Sequence, residues 1–136
     1  MKIMDFRSDT VTKPSEEMRR IMACAEVGDD IYGDDPSSNA LSEYAAELTG
    51  KEAAIYTCSG TMGNLLAFLS AGRHGESLLA GKRSHVWNAE VGGFSAIAGL
   101  CPYPLNDDEG IPAAADLAPA NRADNNIHHH DTTILC

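Results

Sequence analysis

Apolar residues along this chain follow two periods, and the change of period marks its elements. Met18, Ile21, Met22 and Ala25 recur at helical spacing, which predicts a first helix with one apolar face. Pro14 suits the first helical position, with Glu16 and Glu17 complementing the dipole in the first turn. Residues 3–12 before it read as extended. Gly28, Gly33 and Pro36 punctuate a loop over 27–36. Ser37 or Ser38 can then cap a second helix with Leu41, Tyr44, Ala45 and Leu48 on its face, and Gly50 is its stop signal.

Beyond Gly50 the pattern shortens. Residues 53–58 form a compact apolar run that reads as a buried strand, followed by a turn over 59–64. The turn opens into a helix carrying Leu65, Leu66, Phe68 and Leu69 and ending near Gly72. Further strands are expected at 77–80, within 95–105 and at 132–136, with a turn at 106–110 and a short helix over 113–120. Strands alternating with helices predict an α/β fold. The expected organisation is an N-terminal arm, helix and loop over residues 1–36, then an incomplete α/β domain over 37–136. The last expected strand ends at Cys136 with no cap, turn or polar tail, so the chain reads as truncated.

Composition narrows the function. The chain has 136 residues, 20 acidic against 10 basic, with a formal net charge of −10. No basic stripe exists to displace counterions from nucleic acid or to meet an anionic membrane. No apolar stretch is long enough to span a bilayer, and the N-terminus has no signal-peptide pattern. The 4 cysteines, Cys24, Cys58, Cys101 and Cys136, form no CxxC pair, so no disulfide framework is expected. The reading is a soluble, reduced, cytoplasmic protein.

Four groupings of residues could carry chemistry. Ser59, Gly60 and Thr61 stand where a strand gives way to a helix. Unpaired N–H groups and the positive end of the dipole meet there, so an anion such as phosphate could be held. An ordinary capped turn fits the same residues. His85, followed by Trp87 and Glu90, lies after the expected strand at 77–80; its imidazole could stack on a flat ring, move a proton, or be a plain loop histidine. Cys58 with His85 could form a thiol–base pair, but the end of an apolar strand suits a buried inert thiol. The run His128-His129-His130-Asp131 cannot turn every ring one way if extended, and no metal site is expected from it.

The segments taken together resemble a known family. Phe6-Arg7-Ser8-Asp9-Thr10-Val11-Thr12-Lys13-Pro14, the run 27–36, Gly50-Lys51-Glu52-Ala53-Ala54, and Ser59-Gly60-Thr61-Met62-Gly63-Asn64-Leu65 are similar, in order and spacing, to low-specificity L-threonine aldolases. His85 with Glu90 and Gly92-Gly93 resembles the next block. The resemblance runs from residue 5 to about residue 105 and weakens afterwards, with Asn125-Asn126-Ile127-His128 still similar. It implies part of the large domain of a fold-type I pyridoxal 5'-phosphate enzyme, a mixed, mostly parallel sheet between helices. It also implies a homo-oligomer, tetrameric at full length, that cleaves L-threonine and L-allo-threonine to glycine and acetaldehyde. By resemblance Ser59, Gly60 and Thr61 hold the cofactor phosphate and His85 lies on the pyridine face. Ser8 helps hold the substrate carboxylate, and His85 or His128 acts as base. Lys2, Lys13, Lys51 and Lys82 match no cofactor-bearing position of the family, so the chain alone is expected to be inactive. The alternatives are a non-catalytic fragment or interaction protein keeping the family's oligomer surface, a different fold-type I lyase, and a small metal-binding module on His128–His130.

Overall fold

The computed structural model describes residues 3–121 and 126–136, and the chain divides into two compact units between Tyr56 and Thr57. The second helix is tied to the loop before it. The Gly28 N–H donates to the Asp35 carboxylate at 3.0 Å, Ser37 Oγ to the Glu26 carbonyl at 2.9 Å, and Asn39 Nδ2 to the Gly33 carbonyl at 2.8 Å.

The first unit contains helices α1 (Glu16–Cys24) and α2 (Pro36–Thr49), with 3₁₀ turns at Asp9–Val11 and Asp30–Tyr32. Both helices start a little differently from expectation. Ser15, not Pro14, opens α1, because its hydroxyl accepts from the Met18 N–H at 3.2 Å. Asp35 caps α2 by accepting from the Ser38 N–H at 2.7 Å, which places Pro36 in the first turn, where a missing N–H is harmless. Gly50 closes α2 at φ 64°, a left-handed conformation that glycine adopts without steric cost.

Residues 53–58 are not a strand. A strand is defined by a partner, and this run has no ladder partner among the described residues; Ile55 is 80% exposed.

The second unit is built on a parallel sheet of three strands in the order β2-β1-β3: β1 (Ser77–Gly81), β2 (Cys101–Leu105) and β3 (Thr132–Leu135). The helices are α3 (Gly60–Ala71), α4 (His85–Asn88), α5 (Gly93–Ala96) and α6 (Ala114–Ala120). Side chains of β1 alternate between the two faces. Leu78 and Ala80 pack with Phe68 of α3, Val86 of α4, Phe94 of α5, Ala98 and Leu100. Leu79 faces the other way, against Leu105, Ala120 and Leu117. The sheet thus carries helices on both faces, and all of β1 is buried, as the middle strand of a parallel sheet must be. Strand β2 contains Pro102 and Pro104, which only an edge strand accommodates. No helix among the described residues is long and apolar enough to cross a membrane.

Candidate functional site

The parallel strands end on one side, and each feeds a segment that carries polar groups there. After Gly81 the chain runs through Lys82, Arg83 and Ser84 into His85; after Leu105 it runs through Asn106 into Asp107. These two segments clamp each other. The buried Asp107 carboxylate accepts from the Arg83 N–H at 3.2 and 3.0 Å, and Lys82 Nζ donates to Asn106 Oδ1 at 2.7 Å. The Arg83 guanidinium also donates to the Asp108 carbonyl. Gly81 is glycine because any side chain there would collide with the Asp107 carboxylate. The start of α4, and with it His85, is therefore fixed to the sheet end.

The Ser59–Thr61 turn comes to the same place through α3. Ser59 is the N-cap of α3, its hydroxyl accepting from the Met62 N–H at 3.1 Å. Gly60 and Thr61 are the first two helical residues, and no protein acceptor takes their N–H groups among the hydrogen bonds of the described residues. A Cβ at Gly60 would meet nothing within 4 Å, so the helix start is uncrowded at that position. One turn further into α3, Asn64 Nδ2 donates to Glu90 Oε1 at 2.7 Å, and that oxygen also faces His85 Nδ1 at 2.7 Å. A three-residue bridge therefore joins the helix that starts at Gly60 to the imidazole of His85. The Glu90 side chain is 4% exposed and the His85 side chain 68%, so the ring is tethered from below and open above.

Cys136, directly after β3, reaches the same sheet end: its N–H donates to the Leu79 carbonyl at 2.9 Å. Its thiol is pushed up from the ordinary value, first by burial and then by the negative charge of Glu90.

His128 is not part of this cluster. It lies in the turn just before β3, and Thr132 at the start of β3 pairs with Ser77 at the start of β1. His128 thus sits at the amino end of the parallel strands and His85 beyond their carboxyl end. Its N–H donates to Asn126 Oδ1 at 3.0 Å, and the residue is exposed. Asn125, in the same family-like segment, lies outside the described residues. Ser8 belongs to the first unit, where its hydroxyl caps the 3₁₀ turn by accepting from the Thr10 N–H at 3.2 Å and pairs with Thr10 Oγ1 at 2.8 Å. The Cys58–His85 pairing is not formed: Cys58 is exposed and its thiol contacts Met62 Sδ at 3.4 Å. Among the described residues no three His, Cys, Asp or Glu side chains gather in a way that could hold a metal ion.

Sequence reasoning named Glu90 only as a neighbour of His85 and gave Asn64 no role. The available signal was the spacing. Asn64 stands four residues after Gly60, on the same helical face, and a carboxylate at Glu90 within a largely apolar stretch requires a partner.

The second unit is an open parallel sheet with a free-ended helix start and a tethered imidazole beyond its strand ends, the region where open α/β sheets generally take ligands. Comparison with known proteins makes this specific. The family described as Beta-eliminating lyase matches residues 5–136. The chain is 42% identical over 133 residues to the low specificity L-threonine aldolase of Escherichia coli (strain K12), covering 98% of this chain and 40% of that protein. It is 40% identical over 139 residues to the probable low-specificity L-threonine aldolase 2 of Arabidopsis thaliana, covering 100% of this chain and 39% of that one. It is 50% identical over 134 residues to the uncharacterized protein R102.4 of Caenorhabditis elegans, covering 98% and 32%. The chain belongs to the beta-eliminating lyase family. It spans about 40% or less of the length of these relatives.

Proposed function

We propose that this chain supplies the phosphate- and ring-holding part of a pyridoxal 5'-phosphate site in an aldehyde lyase that cleaves L-threonine and L-allo-threonine to glycine and acetaldehyde. The observation that carries the reading is the Asn64–Glu90–His85 bridge, which sets an exposed imidazole beside a helix start with two unused N–H donors. The donor set fits the group. Free N–H groups at the start of a 12-residue helix suit a phosphate, and the open space at Gly60 admits it. An imidazole exposed on one face suits a pyridine ring.

In this reading Gly60 and Thr61 N–H hold the phosphate, the Thr61 hydroxyl adds a hydrogen bond, and Ser59 keeps the turn in shape by capping. His85 packs on the ring face and shields it from water. When bound, pyridoxal phosphate supplies an electron sink for the pair released as the Cα–Cβ bond breaks. His85 Nε2, directly or through one water, would take the proton of the substrate β-hydroxyl. His128, at the other end of the strands, is not assigned this role. Ser8 is proposed for the substrate carboxylate. Lys82 Nζ is engaged with Asn106, and no lysine of this chain is assigned to carry the cofactor.

Calorimetric titration of the chain with pyridoxal phosphate and with pyridoxal tests the site. The expected result is weak binding that depends on the phosphate and falls at least tenfold in Gly60→Asp, where a carboxylate repels the anion at a position with room for it. Equal affinity for pyridoxal would overturn the phosphate assignment. The chain alone is expected to release no acetaldehyde from L-threonine. Turnover on the order of 1 per second, an ordinary enzyme rate, would overturn that expectation.

A second reading is favoured by the exposed apolar faces of the first unit. Met18, Ile21 and Met22 on α1 and Leu41, Tyr44 and Leu48 on α2 are all uncovered. A chain keeping such a surface could act as a non-catalytic, self-associating protein. Sedimentation showing a discrete oligomer without cofactor binding would favour it.

A further inference from the structure

We propose that Glu90 is a positioning residue for His85, holding the imidazole as the Nδ1–H tautomer so that Nε2 is the atom presented to the ligand. The inference builds on the reading above but concerns the protein's own groups. Glu90 is a buried carboxylate, and a buried charge is costly unless donors surround it. Its Oε1 meets two nitrogens, Asn64 Nδ2 and His85 Nδ1, each at 2.7 Å.

An ionised carboxylate can only accept hydrogen bonds, and the Asn64 amide nitrogen can only donate. His85 Nδ1 must therefore carry the hydrogen whenever Glu90 is ionised, and the neutral ring is left with an unprotonated Nε2. Free imidazole side chains favour the opposite tautomer, so the protein imposes this one. The same oxygen takes the Asn64 hydrogen bond, so the ring's support comes from α3, whose first residues are Gly60 and Thr61. The turn after Glu90 is itself constrained: Val91 at φ 55° and Gly92 at φ 69° both lie in the left-handed region, which a β-branched residue rarely occupies. This turn follows directly on the carboxylate that faces His85.

The test is ¹⁵N NMR of the chain labelled at histidine, at a pH where the rings are neutral, with His85→Asn used to assign the His85 signals. In the wild type, His85 is expected to show a pyrrole-type Nδ1 and a pyridine-type Nε2. Glu90→Met, which removes the acceptor at similar length, is expected to lose the Nδ1–H preference. Glu90→Gln, which keeps one acceptor oxygen, is expected to retain most of it. A role confined to packing would leave the tautomer the same in all three. A wild-type ring protonated at Nε2 overturns the proposal outright, whether or not Glu90→Met folds. An Nδ1–H tautomer persisting in a folded Glu90→Met, checked by circular dichroism, overturns it too. Because no cofactor is present, failure of the pyridoxal phosphate titration leaves this result intact, and the two readings fail separately.

Discussion

Ile21 in α1 and Leu78 in β1 are both branched aliphatic side chains on what the local pattern marks as an inward face. Ile21 is 56% exposed and Leu78 is fully buried at 0%. The same contrast runs through the chain. Among the described residues the only buried hydrophobic residue before Thr57 is Ala46; the others lie in the second unit. The first unit is held by local devices: side-chain caps at Ser8, Ser15, Asp29 and Asp35, a glycine stop at Gly50, and the hydrogen bonds that tie residues 26–39 together. The second unit is held by side chains packed on both faces of β1. Caps and turns specify where a helix begins, but the area buried against another element supplies most of its stability.

The largest expected effect would break this contrast if it failed. Leu78→Ala should destabilise the second unit by about 2–5 kcal/mol, since it opens a cavity in a filled core. Ile21→Ala should stay within about 1 kcal/mol, as expected for an exposed position. Urea unfolding followed by Trp87 fluorescence for the first, and by helical circular dichroism for the second, gives both values. Equal losses would show that α1 buries its face after all.

A smaller effect is expected in the first unit, where backbone fit replaces packing. A Cβ at Gly28 would run into the Asp34 carbonyl, so Gly28→Ala should cost roughly 1–3 kcal/mol locally, in the range of other steric insertions. Amide exchange is the measurement: Gly28→Ala should speed exchange at Ser38 while leaving Leu78 and Leu79 unchanged.

The smallest effect is electrostatic and sharpens the same point. The Asp35 carboxyl is held below the usual carboxylate value, chiefly by the Gly28 N–H and then by the Ser38 N–H. A lowered folded value means that the stabilisation is fully present above the unfolded carboxylate pKa and is lost as the pH falls through the folded one. Helix α2 should therefore fray from its N-terminus only below the ordinary carboxylate range. Asp35→Asn should remove that pH dependence and leave the exchange of β1 amides alone.

How much of this was legible beforehand follows the same division. Helices α1, α2 and α3 were readable because their caps, glycines and spacing are local, with errors confined to the first residue or two, where Ser15 and Asp35 competed with Pro14 and Ser37. Strands β1 and β3 were readable as short apolar runs. The run 53–58 looked the same in composition and is not a strand, because a partner, not propensity, decides. The Gly60–Thr61 turn and His85 were identifiable as candidates. Their shared sheet end could be argued from their places in the chain; the bridge that joins them could not, because Asn64, His85 and Glu90 are distant in sequence and meet only in the folded chain. His128 precedes β3 whereas His85 follows β1, so in a parallel sheet the two stand at opposite strand ends.

The two prolines of β2 give the sheet a direction of growth. The Cys101 N–H donates inward to the Glu76 carbonyl, and successive N–H groups along a strand alternate sides. Positions 102 and 104 therefore present outward, and proline has no hydrogen to offer there. The β2 border is closed to any incoming strand, from this protein or another, because the rungs it would need are missing. The β3 border has no proline among Thr132–Leu135 and can still accept one. Assembly by strand addition, whether productive or pathological, is thereby confined to a single flank, and a blocking substitution such as Thr133→Pro need be made on that flank alone.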